Sequence, residues 1–140
     1  MRKGFTILEL SYVLAVIGIL AAATIPAYDL LLRRARASEA PTTLEAIAHA
    51  ELQHFRDRGA YLACPAEGEV PKVPQPFPTA ACWKTLQIAI GADVRYRYGV
   101  TLEGDSFVAT AEGDLDRDGT PSRYTMDGRT LVVDGKDELE

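Results

Sequence analysis

The stretch that decides the fold is the first 28 residues, MRKGFTILELSYVLAVIGILAAATIPAY. Of the 24 residues from Phe5 to Tyr28, 18 are apolar, and Glu9 is the single acidic residue among them. About 20 consecutive apolar residues are enough for a helix to cross the hydrocarbon core of a bilayer. This length and composition exclude a fully soluble globular protein.

The remainder of the 140-residue chain has the composition of one modest soluble domain. Its charge is uneven, because residues 1–100 carry 11 basic and 9 acidic side chains, whereas residues 101–140 carry 4 basic and 11 acidic ones. A chain with this acidic balance has no basic face to neutralise phosphates, so we expect no direct nucleic-acid site. The length excludes a large multidomain enzyme.

The N-terminal stretch also invites comparison with a secretory signal, since Arg2 and Lys3 precede an apolar run. The run is longer than a typical signal core, and Glu9 interrupts it near its start. A carboxylate within a membrane segment normally has a partner and a function. A cleaved signal and an ordinary single-pass anchor remain as the two simpler interpretations.

Four short motifs carry a resemblance to a known family. Met1-Arg2-Lys3-Gly4 matches a short basic leader that ends in glycine, and Phe5-Thr6-Ile7-Leu8-Glu9-Leu10 matches the start of the processed chain. Residues 17–22 and 25–28 match the apolar continuation. Together these residues resemble the type IV pilin family, which includes the pseudopilins of type II secretion. The resemblance covers residues 1–28.

The resemblance implies roles for three residues. A prepilin peptidase is expected to cut between Gly4 and Phe5, which removes the leader at residues 1–4 and leaves Phe5 as an N-methylated terminus. Glu9 is expected to neutralise the Phe5 ammonium of a neighbouring subunit during assembly. In a low-dielectric environment each of these charges needs the other, and a negative side chain also suits the first turn of a helix.

The resemblance further implies the α+β pilin ladle fold, in which a long N-terminal helix packs on a small antiparallel β-meander. We expect residues 5–28 to form the transmembrane and assembly half of the helix, and residues 29–58 to continue it into the head. Gly59 is suited to end it, and Pro26 and Pro41 are predicted to kink it. The head half carries one apolar stripe at helical spacing, formed by Leu44, Ile47, Ala48, Leu52 and Phe55.

Residues 59–85 are rich in proline and are predicted to form a loop between helix and sheet. Cys64 and Cys82, the two cysteines of the chain, lie within this loop. Because the family is extracytoplasmic, where disulfides persist, we expect these two residues to be bonded. A loop of this size would gain about 3 kcal/mol from the bond in the chain-entropy model.

Residues 86–140 are predicted to form the antiparallel sheet and a C-terminal tail. One strand shows period-2 alternation with a shared face formed by Val94, Tyr96, Tyr98 and Val100. A second strand begins with Phe107, Ala109 and Ala111. Residues 123–126 and 130–133 flank Asp127-Gly128, a dipeptide typical of a tight hairpin turn. Three or four strands are expected, with one face on the helix.

The segment Asp114-Leu115-Asp116-Arg117-Asp118-Gly119 has the spacing of a calcium-binding loop. Asp114, Asp116 and Asp118 are the candidate side-chain ligands of Ca²⁺, and the Thr120 carbonyl is a further one. The match to an EF-hand is incomplete, because Thr125 stands where a bidentate Glu is required. The alternative is a solvated turn held by aspartate–backbone hydrogen bonds.

The function implied by the resemblance is a structural subunit of a type IV pilus, used for adhesion, twitching motility or DNA uptake. The precursor would sit among the lipids of the bacterial inner membrane with its head outside the cytoplasm. An inner-membrane assembly platform would then build it into a homo-oligomeric helical filament at the cell surface or in the periplasm. The alternatives are a type II secretion pseudopilin and a membrane-anchored calcium-binding protein that does not polymerise.

Catalysis is not expected. The sequence contains no nucleophile elbow and no glycine-rich phosphate loop. His49 and His54 are five residues apart, which does not place them together on one helix face as a zinc pair. The chain is therefore predicted to be no enzyme and to require no cofactor, with Ca²⁺ as the one candidate.

Overall fold

The computed structural model describes Gly4 and residues 6–136, and it describes the backbone alone at Pro26 and Lys136. The chain divides into two compact units, with the boundary between Arg34 and Ala35. We call the unit that begins at Ala35 the head. The helices are α1 (Ile7–Ala37), α2 (Glu39–Arg58) and α3 (Ala81–Thr85), and the strands are β1 (Arg97–Glu103), β2 (Ser106–Gly113), β3 (Ser122–Asp127) and β4 (Val133–Lys136).

The start of α1 is capped by the residue that precedes it. The hydroxyl oxygen of Thr6 accepts a hydrogen bond from the Glu9 backbone N–H at 3.2 Å, and its carbonyl accepts one from Leu10 at 3.1 Å. Threonine is a preferred residue at this position because its side chain satisfies an N–H that has no partner within the helix. The backbone then stays helical through Pro26 as far as Ala37.

The helical stretch is interrupted at Ser38, which forms a turn between α1 and α2. A proline ring collides with the carbonyl four residues earlier in a continuous helix, and for Pro41 that residue is Ala37, where α1 ends. Pro41 itself lies in the first turn of α2, where its missing N–H has no helical partner to lose. The interruption thus precedes the proline that the sequence analysis singled out.

The four strands form one antiparallel sheet in the order β1-β2-β3-β4. This arrangement confirms the predicted meander and the α+β class. Val100 pairs with Ala109, Ala109 with Met126, and Met126 with Val133, so one row of apolar side chains crosses the sheet. Val94, Tyr96, Tyr98 and Val100 are all buried as predicted, but β1 begins only at Arg97, so the first two of them precede the strand.

Helix α2 packs on β2 and β3 and completes the core of the head. Leu44, Ile47 and Ala48 are buried as the apolar stripe predicts, and Gly59 ends the helix with a φ of 74°. The stripe fails at its C-terminal end. Phe55 is 42% exposed and stacks on Tyr61, with 4.5 Å between ring centroids, while Glu51 is fully buried.

The turn predicted at Asp127-Gly128 is present, but it is wider than a two-residue hairpin, because β4 begins only at Val133. The Gly128 N–H donates to the Phe107 carbonyl at 2.8 Å, so this residue continues the pairing with β2. A Cβ at Gly128 would lie 2.5 Å from the Phe107 ring, which explains why glycine is needed there. The turn closes where the Leu131 N–H donates to the Asp127 carbonyl at 2.8 Å.

The proline-rich segment has more order than its composition predicts. The Cys64–Cys82 disulfide is present, which confirms that prediction, with 5.6 Å between the Cα atoms. Isolated bridges join Cys64 to Val100 and Gln75 to Val94, so the segment follows the free edge of β1. The short helix α3 was not predicted, and it places Trp83 in the core.

Candidate functional site

The N-terminal unit presents an apolar helix without a covering partner among the described residues. Ile7, Leu8 and Ile19 are 89%, 80% and 72% exposed within the chain. The helical stretch Ile7–Arg58 contains a window with a mean hydropathy of 2.1, long and apolar enough by length and composition to cross a membrane. Exposure of this extent in water carries a large free-energy cost, so this surface requires lipid or another protein.

Glu9 lies in the first turn of α1 and is exposed there. The Thr6-Ile7-Leu8-Glu9 run has the spacing of a capping box, and the Thr6 hydroxyl makes one of its two hydrogen bonds. Gly4 is exposed as well. The predicted cleavage and the predicted ion pair both involve Phe5, which lies outside the described residues, and both stay predictions.

The segment Asp114–Thr120, which we call the aspartate turn, connects β2 to β3. Asp114, Asp116 and Asp118 each offer a carboxylate oxygen, and the three oxygens lie within 4.8 Å of one another. Asp114 is buried, Asp116 is half-buried and Asp118 is exposed. Hard cations such as Ca²⁺ take oxygen ligands of this kind, so the donor set fits the predicted ion.

The same carboxylates also hold the turn through the backbone. Asp114 accepts hydrogen bonds from the N–H groups of Arg117 at 2.7 Å and Gly119 at 3.3 Å. Asp118 accepts one at 2.7 Å from Thr120, whose carbonyl was the fourth predicted ligand. These contacts are the aspartate–backbone hydrogen bonds of the alternative interpretation. The geometry accommodates both readings, and calcium binding stays a prediction.

Carboxylates that are buried or part-buried in the head pair with arginines of other elements. Glu39 at the start of α2 accepts hydrogen bonds from the Arg95 backbone N–H at 2.7 Å and from its guanidinium at 3.2 Å. Burial and the neighbouring Glu39 carboxylate raise the pKa of Tyr98 well above its usual value, although a hydrogen bond from Thr43 opposes them.

Glu112 forms ion pairs with both Arg97 and Arg123. Burial works against ionisation of Glu112, but these two arginines outweigh it and lower its pKa.

Glu51 is the charged residue that sequence reasoning missed. One carboxylate oxygen accepts a hydrogen bond from the Leu62 N–H at 2.9 Å, and the other is buried without a hydrogen-bond partner among the described residues. Burial raises the pKa of Glu51, while the Leu62 hydrogen bond and the nearby His54 moderate the rise. Glu51 follows Leu44 by seven residues and Ile47 by four, so the helical spacing of the stripe places it on the buried face. Its spacing was therefore a signal of burial, but a charged side chain is rarely buried unless it is paired.

A cavity of about 140 Å³ lies beside the aspartate turn. Its wall combines four cationic side chains with one carboxylate, that of Asp114. The remaining lining residues include Val73, Pro74 and Leu115. We call this cavity the basic cleft and define its cations as Arg36, Lys72, Arg95 and Arg117.

Comparison with known proteins gives one consistent family. Over 60 residues, or 43% of this chain, the sequence is 42% identical to the type IV major pilin protein PilA of Myxococcus xanthus, and it covers 27% of that protein. Over 61 residues it is 39% identical to the type IV major pilin protein PilE1 of Neisseria gonorrhoeae, of which it covers 37%. Over these regions the chain is similar to type IV major pilins.

A further relative is the fimbrial protein EcpC of Eikenella corrodens, which is 40% identical over 62 residues and covered to 40% of its length. The matched regions thus span less than half of these relatives. No family model matches the chain, and no solved structure does. None of the three names describes a catalytic activity, and none supports the pseudopilin or the calcium-binding anchor.

Proposed function

We propose that this protein is a structural subunit of a type IV pilus filament. The observation that carries the proposal is α1, a 31-residue helix whose apolar side chains are exposed along its length. The similarity to type IV major pilins of other bacteria supports it. A helix of this composition can lie in lipid before assembly and among the helices of neighbouring copies afterwards, so both surroundings remove the same surface from water.

The predicted processing steps belong to the same proposal. A prepilin peptidase cuts between Gly4 and Phe5, and the new Phe5 amine is methylated. The precursor waits in the inner membrane with its head outside the cytoplasm, and an assembly platform extracts it into the filament. The Glu9 carboxylate then pairs with the Phe5 ammonium of a neighbouring copy and sets the axial register, because either charge alone would be costly in an apolar environment.

The first prediction tests this pairing. Glu9→Gln keeps the size and polarity of the side chain and removes its charge. The variant precursor should enter the membrane and be cleaved as the wild type is, but the yield of sheared filaments should fall by about tenfold or more, since an uncompensated buried amine costs several kcal/mol. Electron microscopy and immunoblots of sheared and membrane fractions measure assembly, and N-terminal mass spectrometry measures cleavage.

Glu45→Gln is the matched control, because Glu45 is an exposed glutamate on α2 and the substitution makes the same chemical change. It should leave the filament yield unaltered. Normal filaments from Glu9→Gln would contradict the register role. A wild-type chain that keeps Met1 in cells with an active prepilin peptidase would contradict the processing.

A further inference from the structure

The meander gives the head two chemically different ends. In an antiparallel sheet of this order, the β1–β2 turn and the β3–β4 connection lie at one end, and the aspartate turn lies at the other. Strand β2 joins the two ends through eight residues. At about 3.4 Å per residue, the two ends are about 25 Å apart.

The end with the β1–β2 turn is acidic and partly apolar. It carries three carboxylates and three exposed apolar side chains, and we define this acidic sheet end as Leu102, Glu103, Asp105, Asp127, Leu131 and Val132. The apolar members are 48%, 45% and 62% exposed for Leu102, Leu131 and Val132 respectively. Arg129 also lies here and reduces the surplus of negative charge from three to two.

The basic cleft lies at the opposite end, where Asp114, Leu115 and Arg117 of the aspartate turn form part of its wall. Both oxygens of Asp114 accept backbone hydrogen bonds, and Glu39 pairs with Arg95. Asp116 and Asp118 belong to the same turn but do not line the cleft. The wall therefore keeps a positive surplus, set around the apolar Val73, Pro74 and Leu115.

We propose that the basic cleft of one copy binds the acidic sheet end of a second copy. The two surfaces combine an apolar centre with charges of opposite sign, as specific protein interfaces do. They lie at opposite ends of the same domain, so the contact is head-to-tail. Repetition of such a contact does not stop at a dimer, and it builds an open filament where the rotation between copies does not close a ring. The inference rests on the proposed function, since it assigns a head contact within the filament.

Charge reversal with rescue tests the contact in the full-length protein. Lys72→Glu and Asp105→Lys should each reduce the yield of sheared filaments by about fivefold, the effect of turning one exposed ion pair into a repulsion. The double variant restores opposite charges across the contact and should recover most of the wild-type yield. Raising the salt concentration should lessen the deficit of each single variant, because salt screens exposed charges.

Two surface substitutions serve as matched controls. Lys84→Glu and Glu67→Lys make the same charge changes at exposed residues outside both surfaces and should leave the yield unaltered. Single variants that assemble like the wild type would overturn the proposal. Single variants that fail without rescue in the double variant would show that the basic cleft and the acidic sheet end do not face each other.

Cysteine cross-linking separates this inference from the proposed function. Lys72→Cys combined with Asp105→Cys should give disulfide-linked multimers when detergent-solubilised full-length protein is oxidised, whereas Lys84→Cys combined with Asp105→Cys should not. The distance of about 25 Å between the two ends prevents a bond within one chain. Multimers without filaments would support the contact and overturn the pilus proposal, and filaments without multimers would overturn the contact alone.

Discussion

Glu51 places a carboxylate in the core of the head, and one of its oxygens has no hydrogen-bond partner in the part of the chain that the structure describes. Because burial raises its pKa in the folded state, the folded protein binds a proton there more tightly than the unfolded chain does. The stabilising effect of that proton is fully present below the unfolded value near 4.5 and is lost as the pH rises through the folded pKa. At neutral pH the Glu51 carboxyl group therefore lowers the free energy of unfolding.

The second prediction follows from this pH dependence of the stability. Glu51→Gln keeps a carbonyl acceptor for the Leu62 N–H and removes the charge, so the variant should be more stable than the wild type at pH 8 by on the order of 1 kcal/mol. The gain should shrink towards zero as the pH falls below the unfolded value. Urea unfolding at several pH values measures the difference between the two proteins.

Glu45→Gln on the same helix is the control and should show no pH-dependent difference from the wild type. The comparison with the wild type also removes the contribution of Glu112, whose lowered pKa gives the opposite sign, since its stabilisation is lost as the pH falls. A Glu51→Gln protein that is less stable than the wild type at pH 8 would show that the carboxylate is favourable where it lies.

The third prediction concerns one element, the aspartate turn. If its three carboxylates bind Ca²⁺, titration calorimetry of the wild type should show binding with a dissociation constant of about 0.1–1 mM, the range of extracellular calcium modules. Replacing Asp116 and Asp118 together by Asn should abolish the heat while leaving the backbone contacts of Asp114 in place. Asp105→Asn is the control and should bind as the wild type does.

Heat from the wild type that persists in the Asp116/Asp118 variant would place the ion elsewhere. A wild type that gives no heat at millimolar Ca²⁺ would leave the turn to its backbone hydrogen bonds alone. Asp114 is spared because its two hydrogen bonds, to Arg117 and Gly119, define the path of the chain.

At the scale of elements, the sequence predicts what depends on local periodicity. The burial of alternate residues from Val94 to Val100 and the glycine that ends α2 were both predicted, because such patterns follow from neighbouring residues. The path of the chain after Asp127 was not, because it depends on Phe107, whose carbonyl and ring engage Gly128 from another strand. The turn at Ser38 lies three residues before Pro41, which the sequence predicts to kink the helix.

The candidate sites divide in the same way. The N-terminal motif and the carboxylates of the aspartate turn are contiguous in sequence, so their spacing could be recognised. The basic cleft brings Arg36, Lys72, Arg95 and Arg117 together from four separate segments. No local pattern marks such a set, and the fold is needed to assemble it.

The boundary between Arg34 and Ala35 separates a unit with exposed apolar side chains from a unit with a hydrophobic core. Every residue of the hydrophobic core lies after that boundary, together with the sheet and the disulfide. The helix before it exposes its apolar side chains and takes no part in that core. The stability of the head should therefore not depend on the N-terminal unit.

The fourth prediction is that a chain beginning at Ala35 folds alone. Secreted through an exchangeable signal so that Cys64 and Cys82 can oxidise, it should be monomeric in detergent-free buffer and should unfold cooperatively, because its core is complete and the apolar surface that needs lipid or neighbours is gone. Size-exclusion chromatography and thermal circular dichroism measure both properties. The full-length protein is the comparison and should require detergent. A truncated chain that aggregates or melts without cooperativity would mean that the N-terminal helix contributes to the fold as well as to the filament.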